Sequence, residues 1–206
     1  MPVYRLLLLC AALALPFGTA QALTWVETAN GDLSGDGGVP TLLGDLSLGS
    51  NLISGTMGAV GGVGPVDADV WNFTIAAGYY LTGINLTSFS SASGNNSNSF
   101  MAIDDGGSIN MGDASLHLSN NLFSNQVDGF GNTHTDLLAL MIDGPFFGGT
   151  GFDGPLPEGN YTFWIQEGGD QINYSIDFVT SLTPVPEPGS LLLLGVAGLW
   201  WLRRRR

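Results

Sequence analysis

Short runs of β-branched and aromatic residues, each closed off by Gly, Asn, Asp or Ser, recur along residues 23–182 and restrict this chain to a β fold. The clearest are Val70–Ile75, Tyr80–Phe89, Ser99–Ile103, Leu137–Ile142, Tyr161–Gln166 and Asn173–Val179. Weaker ones fall at Trp25–Thr28, Asn51–Met57 and Ala114–Leu118. No window sustains a 3.6-residue period, so helix is expected only at the two ends. Several runs alternate: Trp71, Phe73 and Ile75 share one face and Asn72 and Thr74 the other, and Tyr174, Ile176 and Phe178 alternate with Ser175 and Asp177. Strands with one dry and one wet face belong to antiparallel sheets packed face to face. About eight or nine of them predict an all-β, antiparallel β-sandwich or jelly roll forming one domain over 23–182. Ser90–Ser97 and Gly144–Gly154 read as its long polar or Gly-rich loops.

Charge is distributed in an unusual way. The five basic residues are Arg5 and Arg203–Arg206, so no Lys or Arg lies between Leu6 and Leu202, whereas all 18 acids fall from Glu27 to Glu187. The stretch 23–188 therefore carries −18 with neutral histidines, against −13 for the whole chain. Such a polyanion is unsuited to nucleic acid or an anionic membrane surface, and suited to divalent cations or basic partners.

The two ends read as addresses. Residues 1–22 have a signal peptide's three parts: Arg5, the apolar centre Leu6–Leu15, and Ala20-Gln21-Ala22 as the small-residue cleavage site, with Leu23 expected to begin the mature chain. Export through the Sec translocon would follow. Cys10 would leave with this segment, so the mature domain has no disulfide and is held by its core or by bound ions. At the other end, residues 183–206 combine Val185-Pro186-Glu187-Pro188-Gly189, an apolar run to Leu202, and Arg203, Arg204, Arg205 and Arg206. Pro186 and Pro188 fix φ and remove two N–H donors, which stops a strand from running on. The apolar run can enter lipid as a helix, and the arginines stay cytoplasmic as a membrane stop. Gly189–Leu202 spans ~21 Å as helix against a ~30 Å hydrocarbon core, which suits a segment held briefly and then cut. The expected whole is thus a sandwich flanked by an N-terminal signal helix and a C-terminal hydrophobic helix.

At these C-terminal residues the chain resembles the PEP-CTERM family of bacterial secreted proteins. That resemblance implies a Gram-negative host that makes exopolysaccharide. It also implies recognition of Pro186-Glu187-Pro188 by exosortase, a membrane protease-transpeptidase that would remove the tail, taking the protein from an inner-membrane intermediate to the cell surface or extracellular matrix. A second resemblance covers most of 23–181. Asn30-Gly-Asp-Leu-Ser34 with Pro40-Thr-Leu, Asp69–Gly78, Leu156–Ile165 and Tyr174–Phe178 resemble the strand and turn pattern of bacterial pre-peptidase C-terminal-like domains. This implies a non-catalytic β-sandwich accessory, some of whose relatives bind calcium or polymers.

Candidate chemistry is limited to oxygen ligands. Asn30, Asp32 and Asp36 lie in a Gly-rich loop, Asp67 and Asp69 precede a strand, and Asp104 and Asp105 end another. Hard cations take several oxygens from flexible loops, so these are the candidate calcium ligands; the competing reading is solvated Asp-Gly turns, and no EF-hand spacing is present. His117 and His134 lack zinc spacing. His134-Thr135-Asp136 lacks a Gly-x-Ser-x-Gly nucleophile, and no cation stands ready to stabilise an anion, so no enzyme activity, catalytic residue or firm metal cofactor is expected. Phe146 and Phe147 offer either a sugar-stacking platform or a loop anchor, whereas Trp25, Trp71 and Trp164 read as core. The expectation is a non-enzymatic surface or matrix protein associated with exopolysaccharide or biofilm, the alternative a secreted calcium- or carbohydrate-binding module.

Overall fold

The computed structural model describes residues 22–59, 66–93, 98–127, 133–142 and 144–182. The signal segment with Ala20, the tail with Val185–Gly189 and Arg203–Arg206, and the side chain of His134 lie outside the described residues; Ala22 opens them, exposed. In chain order the elements are β1 (Thr24–Val26), α1 (Glu27–Asn30), β2 (Thr41–Asp45), β3 (Gly49–Met57), β4 (Ala68–Ile75), β5 (Tyr79–Ser91) and β6 (Ser99–Asp105). Then come β7 (Ser119–Val127), β8 (Thr133–His134), α2 (Leu137–Ile142), β9 (Gly159–Gln166) and β10 (Ile172–Leu182).

Alternation in β10 decides how the two layers meet. Its even-numbered residues Ile172 to Phe178 are buried while the odd ones alternate outward. Its backbone is taken up on both sides, by β3 and by β5, in the sheet β1-β3-β10-β5. The second sheet runs β2-β4-β9-β6-β7-β8. Phe178 crosses the gap into a cage from the second sheet: its ring centroid lies 5.2 Å from Phe73, 5.3 Å from Phe163 and 6.0 Å from Trp71, all near edge-to-face. Phe89 meets Phe123 in the same way at 5.8 Å. Ile53, Ile84, Met101, Ile103, Ile165 and Ile176 fill the layer between. Each such side chain, fully removed from water, contributes roughly 1.5–3 kcal/mol before conformational entropy opposes it. The fold is an all-β sandwich, as the alternation predicts.

Four expectations are corrected. Leu137–Ile142 is helix α2, not a strand: the Asp136 carboxylate accepts the Ala139 N–H at 3.0 Å as an N-terminal cap, and Leu137, Leu138 and Met141 turn one face into the core. Six apolar residues fit either state locally, and helix formers Leu, Ala and Met tip the balance once a cap is available. Ala114–Leu118 is a 3-10 turn over Ala114–Leu116, capped by Asp113, and the strand starts after it at Ser119. Trp25–Thr28 splits into β1 and the single turn α1. The antiparallel rule fails at two edges, where β1 pairs with β3 and β2 with β4 in parallel. Between β1 and β3 the chain visits the other sheet as β2, so it returns in the same direction rather than through a hairpin.

Burial also exceeds the one-wet-face expectation. Every residue of β4 except Thr74 is buried, because Ala68, Val70, Ala102 and Trp164 on the outer side of the second sheet are covered by Ile109 and Met111. Asn72, on that face, donates to the Gly106 and Tyr161 carbonyls at 3.0 and 2.9 Å. Asn51, fully buried at the start of β3, ties three segments together. Its Oδ1 accepts from Ser47 and Leu23 N–H at 2.7 and 3.3 Å, and its Nδ2 donates to the Ser47, Gly49 and Phe178 carbonyls at 2.9, 3.1 and 3.0 Å.

Candidate functional site

The parallel pairing of β1 with β3 sets Val26 opposite Ser54, which brings the next residue, Glu27, over Gly55. A Cβ on Gly55 would overlap the Glu27 carboxyl, so only glycine leaves room for that carboxylate to lie flat on the strand. There Thr56 donates its N–H to Glu27 Oε2 at 2.7 Å, and Leu33 N–H approaches Oε1 at 3.5 Å. One helical turn later Gly31, at φ +98°, lets the chain fold back and presents Asp32. Asp69 enters from β4. Single carboxylate oxygens of Glu27, Asp32 and Asp69 all lie within 4.8 Å of one another.

This cluster is electrostatically uncomfortable. Asp69 is fully buried and neither of its oxygens has a hydrogen-bond partner. Burial, reinforced by Glu27 and then by Asp67 and Asp32, pushes its carboxyl up to about 9. The Tyr174 hydroxyl moderates that rise without closing a hydrogen bond of normal geometry, and is itself buried and unpartnered. Burial raises the Tyr174 hydroxyl well above its ordinary range, with Asp69 adding to the effect. Glu27 is raised by burial against the lowering effect of the Thr56 and Leu33 N–H groups, and Asp67 by burial and then by Asp32. Beside the cluster opens a cleft of about 380 Å³ lined by Glu27, Asp32, Ser54, Gly55, Thr56 and Tyr174.

Of the six aspartates expected as ligands, the structure thus brings Asp32 and Asp69 together, with Asp67 close enough to act on both Glu27 and Asp69. The other three lie elsewhere. Asp36 accepts the Gly38 N–H at 2.8 Å in a local turn. Asp104 holds His117 Nδ1 at 2.9 Å and Leu118 N–H at 2.6 Å, and Asp105 is exposed at the end of β6. Asn30 spends its side-chain oxygen on the Val26 N–H at 2.9 Å. Glu27 escaped the sequence reading because its partners become visible only through the β1–β3 register. The available signal was Gly55, a glycine inside a strand pattern, which marks close approach.

The aromatic candidates occupy a different face. Phe146 and Phe147 are exposed on a loop held by Asn120, whose Oδ1 accepts the Phe147 N–H at 2.9 Å and whose carbonyl accepts that of Phe146 at 3.0 Å. Phe147 leans on Phe100, with centroids 5.9 Å apart, and Phe100 on Trp164 at 4.7 Å. A cleft of about 260 Å³ lies among these three rings. The geometry therefore combines the loop-anchor arrangement with an open aromatic edge. Asp136 caps α2, and His117 is buried against Asp104 and Trp164.

Residues 184–206, immediately beyond β10, match the family model described as the PEP-CTERM protein-sorting motif. The chain carries a PEP-CTERM tail. No curated protein and no solved structure matches the chain. The matched segment contains Val185–Gly189 and Arg203–Arg206. A PEP-CTERM tail marks an exported protein that exosortase sorts to the cell surface. No helix among the described residues is long and apolar enough to cross a membrane.

Proposed function

We propose that this is a non-enzymatic β-sandwich of the cell surface or extracellular matrix of a Gram-negative bacterium. The PEP-CTERM tail holds it at the inner membrane after Sec export, and exosortase then cuts near Pro186–Pro188. The carrying observation is the junction: β10 ends at Leu182 and the sorting motif begins at residue 184. Almost no chain separates the sandwich from the processing point, so cleavage liberates a finished domain. That domain has an acidic surface and, at the Phe100–Phe147 edge, aromatic rings of the kind that stack on sugars. The aromatic edge supports association with the exopolysaccharide of a biofilm. The absence of any Lys or Arg from Leu6 to Leu202 supports a binding or structural role over catalysis.

The test is the intact mass and terminal sequence of the protein from the membrane and medium fractions of its native host. A chain beginning at Leu23 and ending near the Pro-Glu-Pro element is expected. A chain still ending at Arg206 in every fraction overturns the processing scheme. The second reading, a calcium-binding module, is favoured by the carboxylates at Glu27, Asp32 and Asp69.

A further inference from the structure

We propose that Glu27, Asp32 and Asp69 form a calcium site at the seam of the two sheets, completed on the cleft side by solvent. The site stands on residues far in sequence from the sorting tail and holds whether or not the tail is cut.

Three observations carry it. First, the donor set is oxygen only and converges: one oxygen from each of the three carboxylates lies within 4.8 Å of the others. Three hard anionic donors with room for water describe a calcium site better than a zinc or copper one. Second, Asp69 is fully buried with both oxygens lacking a partner, and the adjacent Tyr174 hydroxyl is buried and unpartnered as well. Buried polar atoms are nearly always paired, so two unpaired groups at one spot point to a missing ligand. Third, the described residues bring no cationic side chain to the cluster. No Lys or Arg lies between Leu6 and Leu202, and His117 is engaged with Asp104 on β6. A cation at this cluster would come from solution.

The scaffold is arranged for this purpose. Gly55 leaves room for the Glu27 carboxylate, and Thr56 orients it by donating to Oε2. Gly31 folds the chain so that Asp32 faces back toward β4. Asp69 sits inside a ladder on both sides, at Cα register with Ile165 of β9 and one residue from the Ser34 bridge to Val70. The ion would therefore clip the N-terminal segment 23–33, which has a short β1 and a one-turn helix, to the centre of the second sheet.

The test uses the full-length chain purified in detergent, stripped with EDTA, and titrated with calcium chloride by calorimetry and thermal melting at constant ionic strength. The expectation is one ion per chain and a rise in Tm of about 5–10 °C at a hundredfold excess over Kd. Asp32→Asn, at an exposed position that should leave the fold intact, is expected to weaken binding at least tenfold. Gly55→Ala should do the same through Glu27 alone, with every carboxylate retained. Asp36→Asn in the same loop should leave binding unchanged. A wild-type chain that takes up no calcium overturns the proposal. So does a Tm rise of equal size with calcium, magnesium and sodium at matched ionic strength, or one that persists in full in both Asp32→Asn and Gly55→Ala.

Discussion

Replacing Asp69 by Asn should stabilise the cation-free domain, although it removes a proposed ligand. Asp69 is fully buried and its oxygens lack partners, and its carboxyl is raised from 3.8 to about 9. A raised folded-state value means that the group favours folding fully below its unfolded value of 3.8. That contribution is lost as pH climbs toward 9. At pH 7.5 the folded chain must hold a proton that the unfolded chain releases, a cost of up to about 5 kcal/mol. The Asp69→Asn substitution removes that cost but buries an amide whose own unmet hydrogen bonds return about 1–3 kcal/mol. The net gain is about 2–4 kcal/mol, or a Tm higher by about 5–12 °C for a domain of this size. The assay is thermal unfolding of both chains in EDTA at pH 7.5 and 4.5. At the lower pH the unfolded carboxyl sits close to its own titration, so holding the proton costs only about 1 kcal/mol and the gain should vanish. An Asp69→Asn chain melting no higher than wild type at pH 7.5, or keeping its full advantage at pH 4.5, would refute the view of Asp69 as an uncompensated buried carboxylate.

Two further outcomes are expected. Asn51→Ala removes a buried side chain that bonds to Leu23, Ser47, Gly49 and Phe178, and should destabilise the domain by about 3 kcal/mol; a loss below about 1 kcal/mol in denaturant melts would show that water replaces the clamp. Deleting residues 185–206 should send the protein into the medium with no membrane-bound intermediate in a pulse-chase fractionation, and a membrane-retained truncated form would count against the tail as the anchor.

The strands of the core were legible because their signal is local. In Val70–Ile75 and Asn173–Val179 each residue's neighbour at i+2 shares its face, so alternation picks out the core face of both strands, although in β4 the opposite face is covered as well. Where that signal is weak, the reading strayed. Ser119–Val127 is a strand whose polar start, Ser-Asn-Asn, resembles a loop, and its pairing with β6 supplies what its composition does not. Leu137–Ile142 is apolar throughout, and only the cap at Asp136 and the packing of Leu137 and Met141 decide for helix.

By itself the sequence determined the C-terminal sorting motif, the β class and the want of Lys and Arg from Leu6 to Leu202. These follow from composition, alternation and end segments, all read along the chain. Tertiary structure alone decided the site. Glu27 and Asp69 are 42 positions apart, and they meet because a parallel β1–β3 register, a glycine at 55 and the packing of one sheet on the other bring them there. Convergence of charge depends on distance through space, and burial then lifts the Asp69 carboxyl far above an ordinary acid.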